Sequence, residues 1–134
     1  MTELVLTSND WTVLRTQLLA GEAEACAILF TRQVTREDGQ VRLLVREIDM
    51  PSPTDYTRRG RIEAELKPEV VARVTKRARR AGYGLVFVHS HPGSSSPVFS
   101  DVDDRGESQL SAFLAPRLSG VMHASMVISA GGVR

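Results

Sequence analysis

The run Gly84-Leu85-Val86-Phe87-Val88-His89 constrains the fold more than any other stretch of this chain. A short, unbroken apolar run bounded by glycine and polar residues reads as a strand central in a sheet. Such a strand needs partners, and the flanking sequence supplies them. Ala23 to Arg32 reads as a second buried strand, Arg36-Glu37-Asp38-Gly39 as a turn and Val41 to Ile48 as a third strand, so these two pair as a hairpin. Leu4-Val5-Leu6 and Ser125 to Ser129 are further strands near the two ends.

Three helices fit between them. Thr7-Ser8-Asn9-Asp10 is a cluster of N-cap residue types, Trp11, Leu14 and Leu18 follow at helical spacing as core residues, and Gly21 is a suitable stop. Pro68 stands at the first position of a second helix, whose apolar stripe is Val70, Val71, Val74, Ala78 and Ala81 and whose end is Gly82. Ser100 is the expected N-cap of a third, with Val102, Leu110, Phe113 and Leu114 on its buried side and Pro116 and Gly120 terminating it. Met50 to Gly60 reads as a surface loop, Arg61 to Leu66 as a short strand, Pro92 to Pro97 as a small-residue loop and Gly131-Gly132 as a turn. This order predicts an α/β or α+β sandwich, a mixed sheet with helices packed on it, as one domain over residues 1–134.

Composition excludes several functions. A chain of 134 residues, 42% hydrophobic and 25% charged, has the make-up of an ordered globular domain. Its net charge of +1 gives no global field for nucleic acid or an anionic membrane, and neither is an expected partner. No run approaches the roughly 20 apolar residues of a membrane span, and the start of the chain lacks the pattern of a secretory signal. The single cysteine, Cys26, forms no internal disulfide and rules out a zinc site of paired cysteines. It reads as a buried structural thiol, and the expected location is the cytoplasm. The charge is unevenly spread: Thr57 to Gly82 carries +6 and the remainder −5. That basic segment is either the solvated side of an amphipathic helix or a docking face for an acidic partner or nucleic acid.

Two of the three histidines stand one residue apart, in His89-Ser90-His91 at the carboxyl end of the central strand. Residues i and i+2 of a strand share a face, so both imidazoles can converge on one point. Two imidazoles make half of a catalytic zinc site, which needs a third protein ligand and an open position for water. Asp101, Asp103 and Asp104 follow, and Asp103 is best placed, in the first turn of a helix capped by Ser100, where the macrodipole favours a carboxylate. The same Ser100-Asp101-Val102-Asp103 is also close to a capping box. His123, between Met122 and Ala124, reads as ordinary packing or surface.

His89-Ser90-His91-Pro92-Gly93 followed by Ser100-x-x-Asp103 resembles the JAMM (MPN+) zinc metalloproteases, the JAB-domain, deubiquitinase-like isopeptidases. The upstream glutamate of that motif, which precedes a small and apolar run, has its counterpart in Glu24-Ala25-Cys26-Ala27-Ile28-Leu29. The likeness covers nearly the whole chain and implies an MPN/JAB-like mixed sheet sandwiched by helices. It implies a zinc ion on His89, His91 and Asp103, with Glu24 as general acid/base and Ser100 stabilising the oxyanion. Zinc in such a site brings bound water to a pKa of roughly 7 and polarises the scissile carbonyl. The loop before Asp103 is one residue longer than in the family, a spacing that would select Val102, so Asp101 stays a rival. Ala27 stands where glycine is usual, and Glu22 competes with Glu24.

The implied activity is cleavage after the C-terminal tail of a ubiquitin-like protein, for maturation or deconjugation. The chain's small size looks more like the prokaryotic members. Those accompany E1-like and E2-like proteins in bacterial conjugation and antiphage defence systems. A JAB peptidase acting on sulfur-carrier or small-peptide substrates and a non-catalytic MPN scaffold are the alternatives.

Overall fold

The structure, a computed structural model, describes residues 2–60, 64–92, 101–118, 120–130 and 132–133, with the side chains of residues 101–104, 106, 107 and 132 left aside. A six-stranded mixed sheet forms the middle layer. In chain order its strands are β1 (Thr2–Val5), β2 (Cys26–Thr35), β3 (Val41–Asp49), β6 (Gly84–His91), β7 (Ala124–Ser129) and β8 (Gly132–Val133). Their spatial order is β1-β3-β2-β6-β7-β8, with β1–β3 and β6–β7 parallel and the other pairs antiparallel. The apolar strand β6 is central, as its composition predicts, and a mixed α/β sandwich results. A separate hairpin pairs β4 (Tyr56–Arg59) with β5 (Ala64–Leu66).

Alternation along the strands divides the core in two. Ala27, Leu29, Val86 and Val88 face α1 (Ser8–Leu18), which contributes Leu14 and Leu18, with Trp11 partly buried against them. Ile28, Phe30 and Leu85 face α2 (Pro68–Ala81) and α3 (Asp101–Arg117), which contribute Val70, Val74, Ala78 and Leu114. The helix ends follow local chemistry. Thr7 caps α1 by accepting from the Asp10 N–H, and Gly82, at φ 73°, takes the left-handed conformation that ends α2.

The structure corrects several expected boundaries. β2 begins at Cys26, not Ala23, because Glu24 and Ala25 direct their N–H groups to Gly60 and to the Ser90 side chain instead of a regular ladder. Helix α1 closes at the Leu19 C-cap, before Gly21, and β7 begins one residue early at Ala124. Met50 to Gly60 is not merely a loop: a 3-10 turn at Pro53–Asp55 leads into β4, where Tyr56 is buried. Of Arg61 to Leu66, β5 takes the last three residues, and 61–63 lie outside the described ones. Helix α3 runs through Pro116 to Arg117, since a proline in the last turn removes one hydrogen bond while buried Leu114 and Leu118 hold that end down. Gly132 belongs to a two-residue strand.

The basic side of α2 partly answers acids on β3. Arg77 donates to Glu47 at 2.8 Å and lies over the Phe30 ring, and Arg73 reaches Asp49 at 3.5 Å. Exposed pairs of this kind contribute little each.

Candidate active site

Strand parity puts the chemistry on one face. Glu24 has the same parity as Ile28, and His89 and His91 the same as Leu85, so all three lie on the side covered by α2 and α3. Cys26 pairs with His89 across β2 and β6, which brings Glu24 opposite His91. The Glu24 Oε1 to His91 Nε2 distance is 3.3 Å, with side-chain exposures of 5% and 13%. The His89 and His91 rings stand 5.0 Å apart between centroids at 62°. Glu22, the rival carboxylate, is exposed. Among the described residues a nearly buried carboxylate thus meets His91 at the end of the central strand, with the His89 ring beside His91.

Ser90 joins the two segments. It is fully buried, its N–H donates to the Ala25 carbonyl, and its Oγ accepts from the Ala25 N–H, both at 2.9 Å. In a regular antiparallel pair that second bond would go to the Ser90 carbonyl. The hydroxyl therefore takes over a ladder position where β2 and β6 part. The sequence did carry the signal, a hydroxyl residue between two histidines, although composition and spacing assign it no role.

The β4–β5 hairpin holds the same segment from its other side. Tyr56 Oη accepts from the Cys26 N–H at 2.7 Å, Arg59 Nε donates to the Glu24 carbonyl at 3.0 Å, and Glu24 N–H donates to the Gly60 carbonyl at 2.7 Å. Burial raises the Tyr56 phenol above its ordinary value. Neither Tyr56 nor Arg59 was legible as a site residue, since both fall in a segment read as loop.

Asp101 and Asp103 begin α3, on the same face of the sheet; their side chains, and Ser100 entirely, lie outside the described residues. Among the described residues no three His, Cys, Asp or Glu side chains form a metal-holding group. The described donors, the imidazoles of His89 and His91 at one strand end, are of a kind that zinc accepts. His123 is not part of this cluster. Its Nδ1 accepts from the Leu85 N–H at 3.4 Å and its Nε2 lies 3.1 Å from the Leu118 carbonyl, so the ring bridges β6 and the end of α3.

Residues 11–133 match the family of prokaryotic homologs of the JAB domain. The chain belongs to that family. A search of curated proteins found no match. Among the described residues no helix is long and apolar enough to cross a membrane.

Proposed function

We propose that the chain is a zinc-dependent peptidase or isopeptidase that cleaves after the C-terminal tail of a ubiquitin-like protein. The observation that carries this reading is the buried Glu24 carboxylate 3.3 Å from His91, beside His89 on the same face. A scaffold has no need to bury a carboxylate against an imidazole, because desolvating such a group costs several kcal/mol, about the penalty usual for a buried ion. His89, His91 and Asp103 would hold the metal. When bound, zinc supplies a Lewis acid that polarises the scissile carbonyl and acidifies water.

The protein's own groups complete the reaction. Glu24 takes a proton from the attacking water at a carboxylate oxygen and returns it to the leaving amine. Its burial keeps that carboxylate out of bulk water, where it would be less effective as an acid/base. Ser100 offers a hydroxyl to the developing oxyanion. The expected partners are the ubiquitin-like substrate or its conjugates, with E1-like and E2-like proteins, in a bacterial conjugation or antiphage defence system of the cytoplasm.

Metal analysis of the purified chain, with hydrolysis of a ubiquitin-like fusion, tests this. About one zinc per chain and chelator-sensitive cleavage are expected of such a site. Asp103→Ala should lose the metal and Asp101→Ala keep it. A zinc-free chain, or cleavage indifferent to chelator, contradicts the proposal. Zinc without cleavage of any ubiquitin-like fusion, but with cleavage of sulfur-carrier or short peptides, selects the alternative substrate class.

A further inference from the structure

We infer that the β4–β5 hairpin is the positioning element for Glu24, acting through Tyr56 and Arg59. Glu24 and Ala25 lie just before the regular part of β2, so the sheet ladder alone does not fix them. The hairpin supplies what is missing: the Gly60 carbonyl takes the Glu24 N–H, Arg59 takes the Glu24 carbonyl, and Tyr56 takes the Cys26 N–H. Both peptide groups of Glu24 are thereby held by one hairpin.

The two side chains also brace each other. The Arg59 guanidinium lies 5.0 Å over the Tyr56 ring, so the exposed arginine is anchored on the buried tyrosine. The 3-10 turn before the hairpin is closed by a capping box between Ser52 and Asp55, and Asp55 O accepts from the Lys67 N–H, tying the turn to the chain just after β5. A carboxylate that must stay against His91 gains from such a support, because a displacement of about 1 Å can cost a hundredfold in rate. Tyr56 and Arg59 touch the backbone of residues 24–26 and are positioning residues, not catalytic ones.

This inference rests on Glu24 being the acid/base, and its test separates the two claims. Tyr56→Phe and Arg59→Ala are compared with wild type and with Thr75→Val, which alters a buried hydroxyl on α2. Amide exchange at Glu24 and Cys26 should rise by on the order of tenfold relative to Phe87 in β6, as expected for local opening. Zinc content and KM should hold while kcat falls on the order of ten- to a hundredfold. Arg59→Lys, which keeps a donor, should recover part of kcat. Crystal structures of Tyr56→Phe and Arg59→Ala should show Glu24 out of hydrogen-bond reach of His91. Unchanged kcat with faster exchange overturns the inference. If wild type itself cleaves nothing, the proposed activity fails, and the hairpin is judged by the crystals: Glu24 still against His91 in both variants overturns its role.

Discussion

Replacing Ser90 by alanine removes one oxygen and leaves the Ala25 N–H without its acceptor. Both residues are buried, and the lost bond is 2.9 Å long. An orphaned buried donor costs about 1–3 kcal/mol. Unfolding entropy of about 2.1 cal/mol/K per residue, over a chain of 134 residues, converts that to a fall in Tm of roughly 4–11 °C. Thermal unfolding followed by circular dichroism gives the shift, and amide exchange at Ala25 locates it. Ser90→Thr keeps an acceptor and should lose less than Ser90→Ala. The stability loss should come with faster Ala25 exchange and slower hydrolysis, since the bond holds the segment beside Glu24. A Ser90→Ala chain with unchanged Tm and unchanged Ala25 exchange would refute the assignment of the hydroxyl to a ladder position.

Three other outcomes follow from the same structure. Thr31 Oγ1 is buried without a hydrogen-bond partner among the described residues, so Thr31→Val should be neutral or stabilising by up to about 1 kcal/mol in chemical denaturation; a clear loss would reveal a partner. His123→Ala removes an acceptor for Leu85 N–H and a link to Leu118, and should cost about 1–3 kcal/mol while leaving zinc content untouched; loss of zinc would put His123 in the site. Burial raises the folded-state value of the Tyr56 phenol, so its contribution is whole below the ordinary value of about 10 and is lost as pH rises through the folded value. The alkaline fall in Tm should therefore be shallower in Tyr56→Phe than in wild type, and parallel curves would contradict this.

Periodicity made most of the fold legible because most of it obeys one period at a time. β6 is apolar from Leu85 to Val88 and lies in the sheet centre, and α2 has proline at its start, glycine past its end and a valine-alanine stripe between. What periodicity missed was held by tertiary bonds. The start of β2 is set by Ser90 and Gly60, and β4 exists because Tyr56 is drawn in to meet Cys26. Pro116 misled as a helix stop because packing at Leu114 and Leu118 overrides one lost hydrogen bond. The histidine pair was visible because i and i+2 share a strand face. Which of Glu22 and Glu24 joins it was a matter of register, since the two share a parity, and the pairing of Cys26 with His89 brings Glu24 to His91.

The proposed activity requires Glu24 to act in chemistry rather than in folding. The most direct measurement is the cleavage rate of a ubiquitin-like fusion by wild type and by Glu24→Gln at equal zinc content and equal Tm. Glutamine keeps the shape and loses the titratable carboxylate, so the rate should fall by about a hundred- to ten-thousandfold, the usual contribution of a general acid/base. A Glu24→Gln chain that holds its zinc and cleaves at the wild-type rate would contradict the role proposed for Glu24.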